Sequence, residues 1–174
     1  IAAHQAALTP QPDLLLILIP RHPARGTEVA DLLAKDGLTH ARRSAGALPD
    51  RATKAYLADT LGETGLFYRV SPLVFLGGSF GPEGGHNPYE PTTLGAAVLY
   101  GPRVANFRLA YAGLTRAGAA RKVGDGAALA SQVTQLTGSR ALKTMGAQAK
   151  ALSQHSEGAR QNLLARLIPL LRAD

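Results

Sequence analysis

Leu14-Leu15-Leu16-Ile17-Leu18-Ile19 is an unbroken aliphatic run ended by Pro20, and it constrains the fold more than any other segment. Polar and apolar positions do not alternate, so the run predicts a strand buried on both faces, as in a parallel sheet covered by helices. It is far shorter than the ~20 residues that cross a bilayer as a helix. Further strands are predicted over Leu38–Arg43, Ala55–Ala58, Leu73–Leu76, Ala97–Tyr100 and Ala119–Val123. Between them Thr27–Lys35, Leu61–Val70, Pro88–Leu94 and Val104–Thr115 carry helical patterns, and Gly37 is placed to stop the first. Ala127–Leu136, Arg140–Ser153 and Glu157–Leu171 complete the helices. Strands alternating with helices predict an α/β fold, a Rossmann-like parallel sheet with helices on both faces. No repeat or linker divides the 174 residues, so residues 1–174 are expected to form a single domain.

Ligands of such sheets bind at the carboxyl ends of the strands, which directs attention to three strand-to-helix junctions. Their partner is expected to be anionic. The formal net charge is +7, and a basic balance favours nucleic acid, an acidic lipid surface or a phosphorylated small molecule. The absence of cysteine excludes disulfides, thiolate metal sites and a cysteine nucleophile.

The first junction is Pro20-Arg21-His22-Pro23. Arg21 offers a planar donor fork suited to phosphate or carboxylate, or is a solvated arginine in a proline-shaped loop. The second is Asp59-Thr60-Leu61-Gly62-Glu63. Thr60 and Glu63 have the spacing of a capping box, and that structural role would suffice; a helix start on a crevice can also hold an anion, with Gly62 permitting close approach. The third runs from Gly77 to Pro91. Asn87 suits an N-cap, Pro88 a first helical position, and Glu90 sits where it can reach back. That cap leaves the preceding glycines unexplained. Their density signals unusual dihedrals or close ligand approach, and backbone N–H groups there can cradle phosphate. No Gly-Lys-Ser/Thr follows, so this is not a Walker loop. His86 reads as structural or exposed before it reads as catalytic. No second ligand stands at metal-binding spacing, so no metal is expected.

Taken in order, Pro20-Arg21-His22-Pro23, Ala58-Asp59-Thr60-Leu61-Gly62-Glu63-Thr64-Gly65-Leu66-Phe67-Tyr68, Gly77-Gly78-Ser79, Gly84-Gly85-His86-Asn87-Pro88-Tyr89-Glu90-Pro91 and Gly101-Pro102-Arg103-Val104-Ala105-Asn106-Phe107 resemble the 3-deoxy-D-manno-octulosonic acid (Kdo) transferases of lipopolysaccharide assembly. The match runs from about Ala2 to the C-terminus. The resemblance implies the C-terminal, donor-binding half of a GT-B glycosyltransferase. The whole enzyme inverts configuration while moving Kdo from CMP-Kdo to a hydroxyl of the lipid A precursor. It implies CMP contacts from Pro20, Arg21, Leu61, Gly62, Glu63, Asn87, Pro88, Tyr89 and Glu90, with Glu90 on the ribose hydroxyls. Additional donor contacts would come from Gly78, Ser79, Gly84, Gly85 and His86.

The resemblance implies no cofactor, because arginine and helix ends can meet the donor's phosphate and carboxylate without a divalent ion. The general base, the acceptor site and the membrane anchor belong to the family's N-terminal half. No catalytic residue is therefore expected in this chain, which reads as a fragment of a longer, two-domain enzyme at the cytoplasmic face of the bacterial inner membrane. The fragment itself is expected to be soluble, and inactive alone. Arg103 stands where a histidine is common. Two other readings remain: another sugar-nucleotide glycosyltransferase of the same fold, or a non-catalytic basic binding module. Nucleic acid is not the expected partner, since the basic-aromatic signature of known RNA-binding modules is absent.

Overall fold

A computed structural model describes residues 1–171. They form two compact units: Ile1–Val70 with Gly124–Thr137, and Ser71–Val123 with the chain from Gly138 onward.

In the first unit β1 (Leu16–Leu18) and β2 (His40–Arg42) flank β3 (Ala55–Leu57), and both pairings are parallel. Ala55 and Leu57 point to one face, where they pack with Val29 and Leu33 of α2 (Gly26–Lys35) and with Ile1 and Leu8, which bracket α1 (Ala2–Leu8). Tyr56 and Ala58 point to the other face, against Phe67 of α3 (Thr64–Val70), whose ring meets that of Tyr56 edge-on with centroids 6.0 Å apart. Helices thus cover both faces of this sheet, as the apolar pattern implies. α6 (Gly126–Leu136) packs on α1, its first turn capped by the Asp125 carboxylate accepting from the Ala128 N–H at 2.8 Å.

The second unit repeats the scheme with β4 (Leu73–Leu76), β5 (Ala97–Tyr100) and β6 (Ala120–Lys122), parallel and in that order. Val98 and Tyr100 pack with Tyr111 and Leu114 of α5 (Arg108–Arg116) and with Ala149 of α7 (Arg140–Leu171). α7 also packs against α4 (Tyr89–Thr93).

The helices that feed β2, β5 and β6 end alike. At Gly37 the next residue, Leu38, donates its N–H to the Leu33 carbonyl (2.9 Å) while Gly37 donates to Ala34 (3.0 Å), and the pattern recurs at Gly95 and Gly118. This is the Schellman ending, which requires a left-handed residue and so selects glycine; Gly37 has φ +70°.

Three elements differ from the sequence reading. The aliphatic run becomes only a short strand of intermediate burial, with Leu15 37% exposed. The strands buried throughout are β3 and β5, each with a neighbour on both sides; in β3 the small Ala55 gave a fainter apolar signal. The segment expected as helix from Val104 begins instead as a 3₁₀ turn at Ala105–Phe107. The two helices expected after Arg140 are one continuous helix.

Candidate functional site

Leu18, Arg42 and Leu57 lie in register at the carboxyl edge of the first sheet, so the segments following all three strands leave from one side. Arg21 follows β1 and Pro20 there. It is exposed, and no ion pair or hydrogen bond holds its guanidinium among the described residues. After β3, Asp59 is buried, its side chain 1% exposed, and it accepts from Arg42 Nε (2.5 Å), the Ser44 N–H (3.0 Å) and Ser44 Oγ (2.8 Å). Burial alone would push this carboxyl up, but the donors from Arg42 and Ser44 outweigh it and hold it below the usual range. A Cβ at Gly26 would collide with the Asp59 carboxylate and come within 2.7 Å of Arg42, so only glycine lets α2 start against this network.

Glu63 is held as firmly. Arg43 donates from Nε to both carboxylate oxygens (3.2 and 3.0 Å) and from a terminal nitrogen to Oε1 (2.6 Å), and the Thr60 hydroxyl donates to Oε2. The Arg43 fork, then the Thr60 hydroxyl, holds the Glu63 carboxyl down at about 2. The capping box read from the spacing therefore does not form. Thr60 and Glu63 bond to each other through their side chains, while the Glu63 carbonyl accepts the first helical bond, from Leu66 (2.9 Å). The reason is Arg43, from the turn that follows β2, which local spacing does not reveal. Between the two, Gly62 adopts φ +81° and Leu61 is 82% exposed. The loop thus presents a leucine outward from a base fixed by Arg43.

The glycine-rich loop of the second unit is organised by the segment after β5. Ser79 is fully buried; its hydroxyl donates to the Leu76 carbonyl (2.6 Å) and accepts from the Gly101 N–H (2.8 Å). Arg103 donates its N–H to the Ser79 carbonyl (2.9 Å), Gly85 to Gly78 (2.8 Å), and Asn106 to Gly84 (3.1 Å). The Asn106 side chain adds a bond to the Glu83 carbonyl (2.8 Å). Gly84 and Gly85 are buried at positive φ, and a Cβ on Gly84 would sit 2.9 Å from the Asn106 amide. Tight packing and left-handed backbone account for Gly84 and Gly85 within the protein itself. Gly78, at φ +66°, lies against the His86 ring, where an added Cβ would come within 3.2 Å of Nε2.

α4 begins directly after this loop. Asn87 Oδ1 accepts from the Tyr89 N–H (3.1 Å), a local turn bond; the helix N-cap itself is Pro88, one residue later than the spacing suggests, and Pro88 is buried. Tyr89 is 49% exposed. Glu90 is exposed, and its carboxylate receives only a long bond from the Asn87 amide (3.4 Å). The two carboxylates singled out by sequence thus differ in kind: Glu63 is saturated by its own chain and Glu90 is open. Among the described residues no group of three or more His, Asp and Glu is placed to hold a metal ion.

No family model matches the chain. The 3-deoxy-D-manno-octulosonic acid transferase of Haemophilus influenzae is 37% identical over 173 residues, covering 98% of this chain and 40% of that protein. Its counterpart in Bordetella pertussis is 43% identical over 126 residues, 72% of this chain and 29% of that protein. The crystal structure of the C-terminal CMP-Kdo binding domain of WaaA from Acinetobacter baumannii superposes with a TM-score of 0.81 at 33% identity, covering 88% of this chain and 80% of that domain. The chain belongs to the Kdo transferase family. It has the fold of the C-terminal GT-B domain and spans about 40% of the length of the Haemophilus relative.

Sequence reasoning missed Arg43, Arg42 and Ser44, which fix Glu63 and Asp59. The Arg42-Arg43 pair at the end of a predicted strand was the available signal. It also left unassigned the role of Asn106, which lies inside the matched Gly101–Phe107 segment.

Proposed function

We propose that this chain is the donor-binding domain of an inverting glycosyltransferase that transfers Kdo from CMP-Kdo to a lipid A precursor. The likeness to a domain described as CMP-Kdo binding supports the donor. The observation that carries the reading is the contrast between the carboxylates: Glu63 has no acceptor capacity left, whereas Glu90 stands exposed in Asn87-Pro88-Tyr89-Glu90 with its own almost unspent.

On this reading Glu90 accepts from the ribose hydroxyls, as a carboxylate can from both at once. Leu61 and the Gly62 backbone offer an apolar contact that Arg43 and Thr60 hold in place through Glu63. Arg21 supplies the donor fork for an anionic group of the donor. Pro20, Pro88 and Tyr89 shape these contacts. Ser79, Gly84 and Gly85 act from beneath, setting the loop that ends at His86 and Asn87. No metal enters this scheme. The general base, the acceptor site and attachment to the inner membrane fall to the rest of the full-length enzyme. No described helix here is long and apolar enough to cross a membrane.

Glu90→Gln tests the assignment. It should lower CMP affinity by about 1–3 kcal/mol, the worth of a charge-assisted hydrogen bond, with little change in Tm. A lowered Tm with unchanged CMP affinity would instead make Glu90 a structural part of the α4 turn.

A further inference from the structure

An open cleft of about 610 Å³ lies within the second unit, at the carboxyl ends of β5 and β6. Its volume falls in the range of small-molecule sites. Tyr100, Tyr111 and Val104 help to line it, with Pro82 and Gly84 of the glycine-rich loop on one side. The two tyrosine rings lie 4.4 Å apart, and their hydroxyls are engaged: Tyr100 with Thr115 Oγ1 (2.8 Å), and Tyr111 as donor to the His86 carbonyl (2.8 Å). Lining it also are Arg103, Arg108 and Lys122, all exposed. None of the three has an ion-pair partner among the described residues, and no carboxylate lines the cleft; the nearest in sequence is Glu83, between Pro82 and Gly84. Three unpaired cations converging on a cleft of apolar walls concentrate positive potential there. They exceed what a single carboxylate would need, and two of them are guanidiniums suited to phosphate oxygens.

We infer that this cleft is a second anion site, which takes a phosphate monoester carried on a sugar. The phosphate meets Arg103, Arg108 and Lys122, and the sugar ring lies against the apolar walls. The ester is either free in solution or the headgroup of a lipid. The cations are not among the CMP contacts assigned above, so the inference stands apart from the donor reading. It also gives Arg103 a role of its own.

The test is calorimetric titration of the full chain with glucose phosphate, with glucose as the uncharged control. Flotation on phosphatidylcholine vesicles with and without phosphatidic acid runs alongside. Saturable binding of glucose phosphate but not of glucose is expected. It should weaken about tenfold or more in the combined variant Arg103→Gln, Arg108→Gln, Lys122→Gln, whose exposed positions leave the fold intact. That variant should keep any preference for CMP over UMP, and Glu90→Gln should still bind glucose phosphate. Binding of the soluble ester alone assigns the cleft to a soluble phosphate; flotation with phosphatidic acid that glucose phosphate competes away assigns it to a lipid headgroup. Absence of saturable binding, unchanged binding in the combined variant, or loss of glucose phosphate binding in Glu90→Gln overturns the inference.

Discussion

The two units solve the same problem with different chemistry. Each must hold the loops leaving the carboxyl edge of a three-stranded parallel sheet. The first does it with charge: Asp59 gathers Arg42 and Ser44, and Glu63 gathers Arg43 and Thr60. The second does it with backbone and small residues: Ser79 ties β4 to Gly101, and Asn106 ties the Gly101–Phe107 segment to Glu83 and Gly84. At the strand ends of the first unit Arg42 and Arg43 are consumed by structure while Arg21 is open. In the second unit Arg103, Arg108 and Lys122 have no ion-pair partner among the described residues. A charged side chain near a strand end is thus not by itself a sign of ligand binding. What distinguishes a binding group is whether the chain has already spent it.

If this division holds, the first unit should fail when a side chain is removed and the second when one is added. The largest effect is expected for Asp59→Ala, which strips a buried acceptor from Arg42 and two Ser44 donors. Chemical denaturation should show a loss of about 3 kcal/mol, below that of a fully buried pair because Arg42 is partly solvated. A loss under about 1 kcal/mol would mean that the network is ornamental. Gly101→Ala comes next. Its new Cβ would strike the Ser79 carbonyl and lie 2.5 Å from the Phe80 ring, so about 2–3 kcal/mol should be lost by the same measurement. A neutral result would show the loop free to shift.

The smallest effect is the pH-dependent part of the Glu63 contribution. Its folded carboxyl is held at about 2 against an ordinary value of 4.5. A depressed value of this kind stabilises the fold fully above the ordinary value, and the contribution is lost as pH falls toward the folded one. Glu63→Gln should therefore lower Tm near neutral pH, and its difference from the unchanged chain should shrink between about pH 4.5 and pH 2. A difference independent of pH over that window would assign the effect to packing rather than to the Arg43 pair.

The alternation of strands and helices was legible because periodicity and glycine stops are local. So was the local role of the Asn87 side chain, whose acceptor and donor lie two residues apart, although the helix N-cap falls on Pro88. What local spacing could not show was anything set by a partner distant in sequence. Arg43 reaches Glu63 from twenty positions away and turns an apparent capping box into an ion pair. Asn106 reaches Gly84 across the loop and gives the glycines a reason of their own. The aliphatic run at Leu14 overstated its burial because an apolar pattern reports what a strand can bury, whereas burial itself depends on neighbours. The chemistry of the candidate site entered through the matched residues, and the geometry then separated the spent carboxylate from the open one.

The central claim is that the open groups of this domain serve a cytidine nucleotide. Calorimetric titration of the chain with CMP, UMP and ADP under identical salt tests it most directly. CMP is expected to bind in preference to the other two. Equal affinity for all three nucleotides, or no binding of CMP, would contradict it.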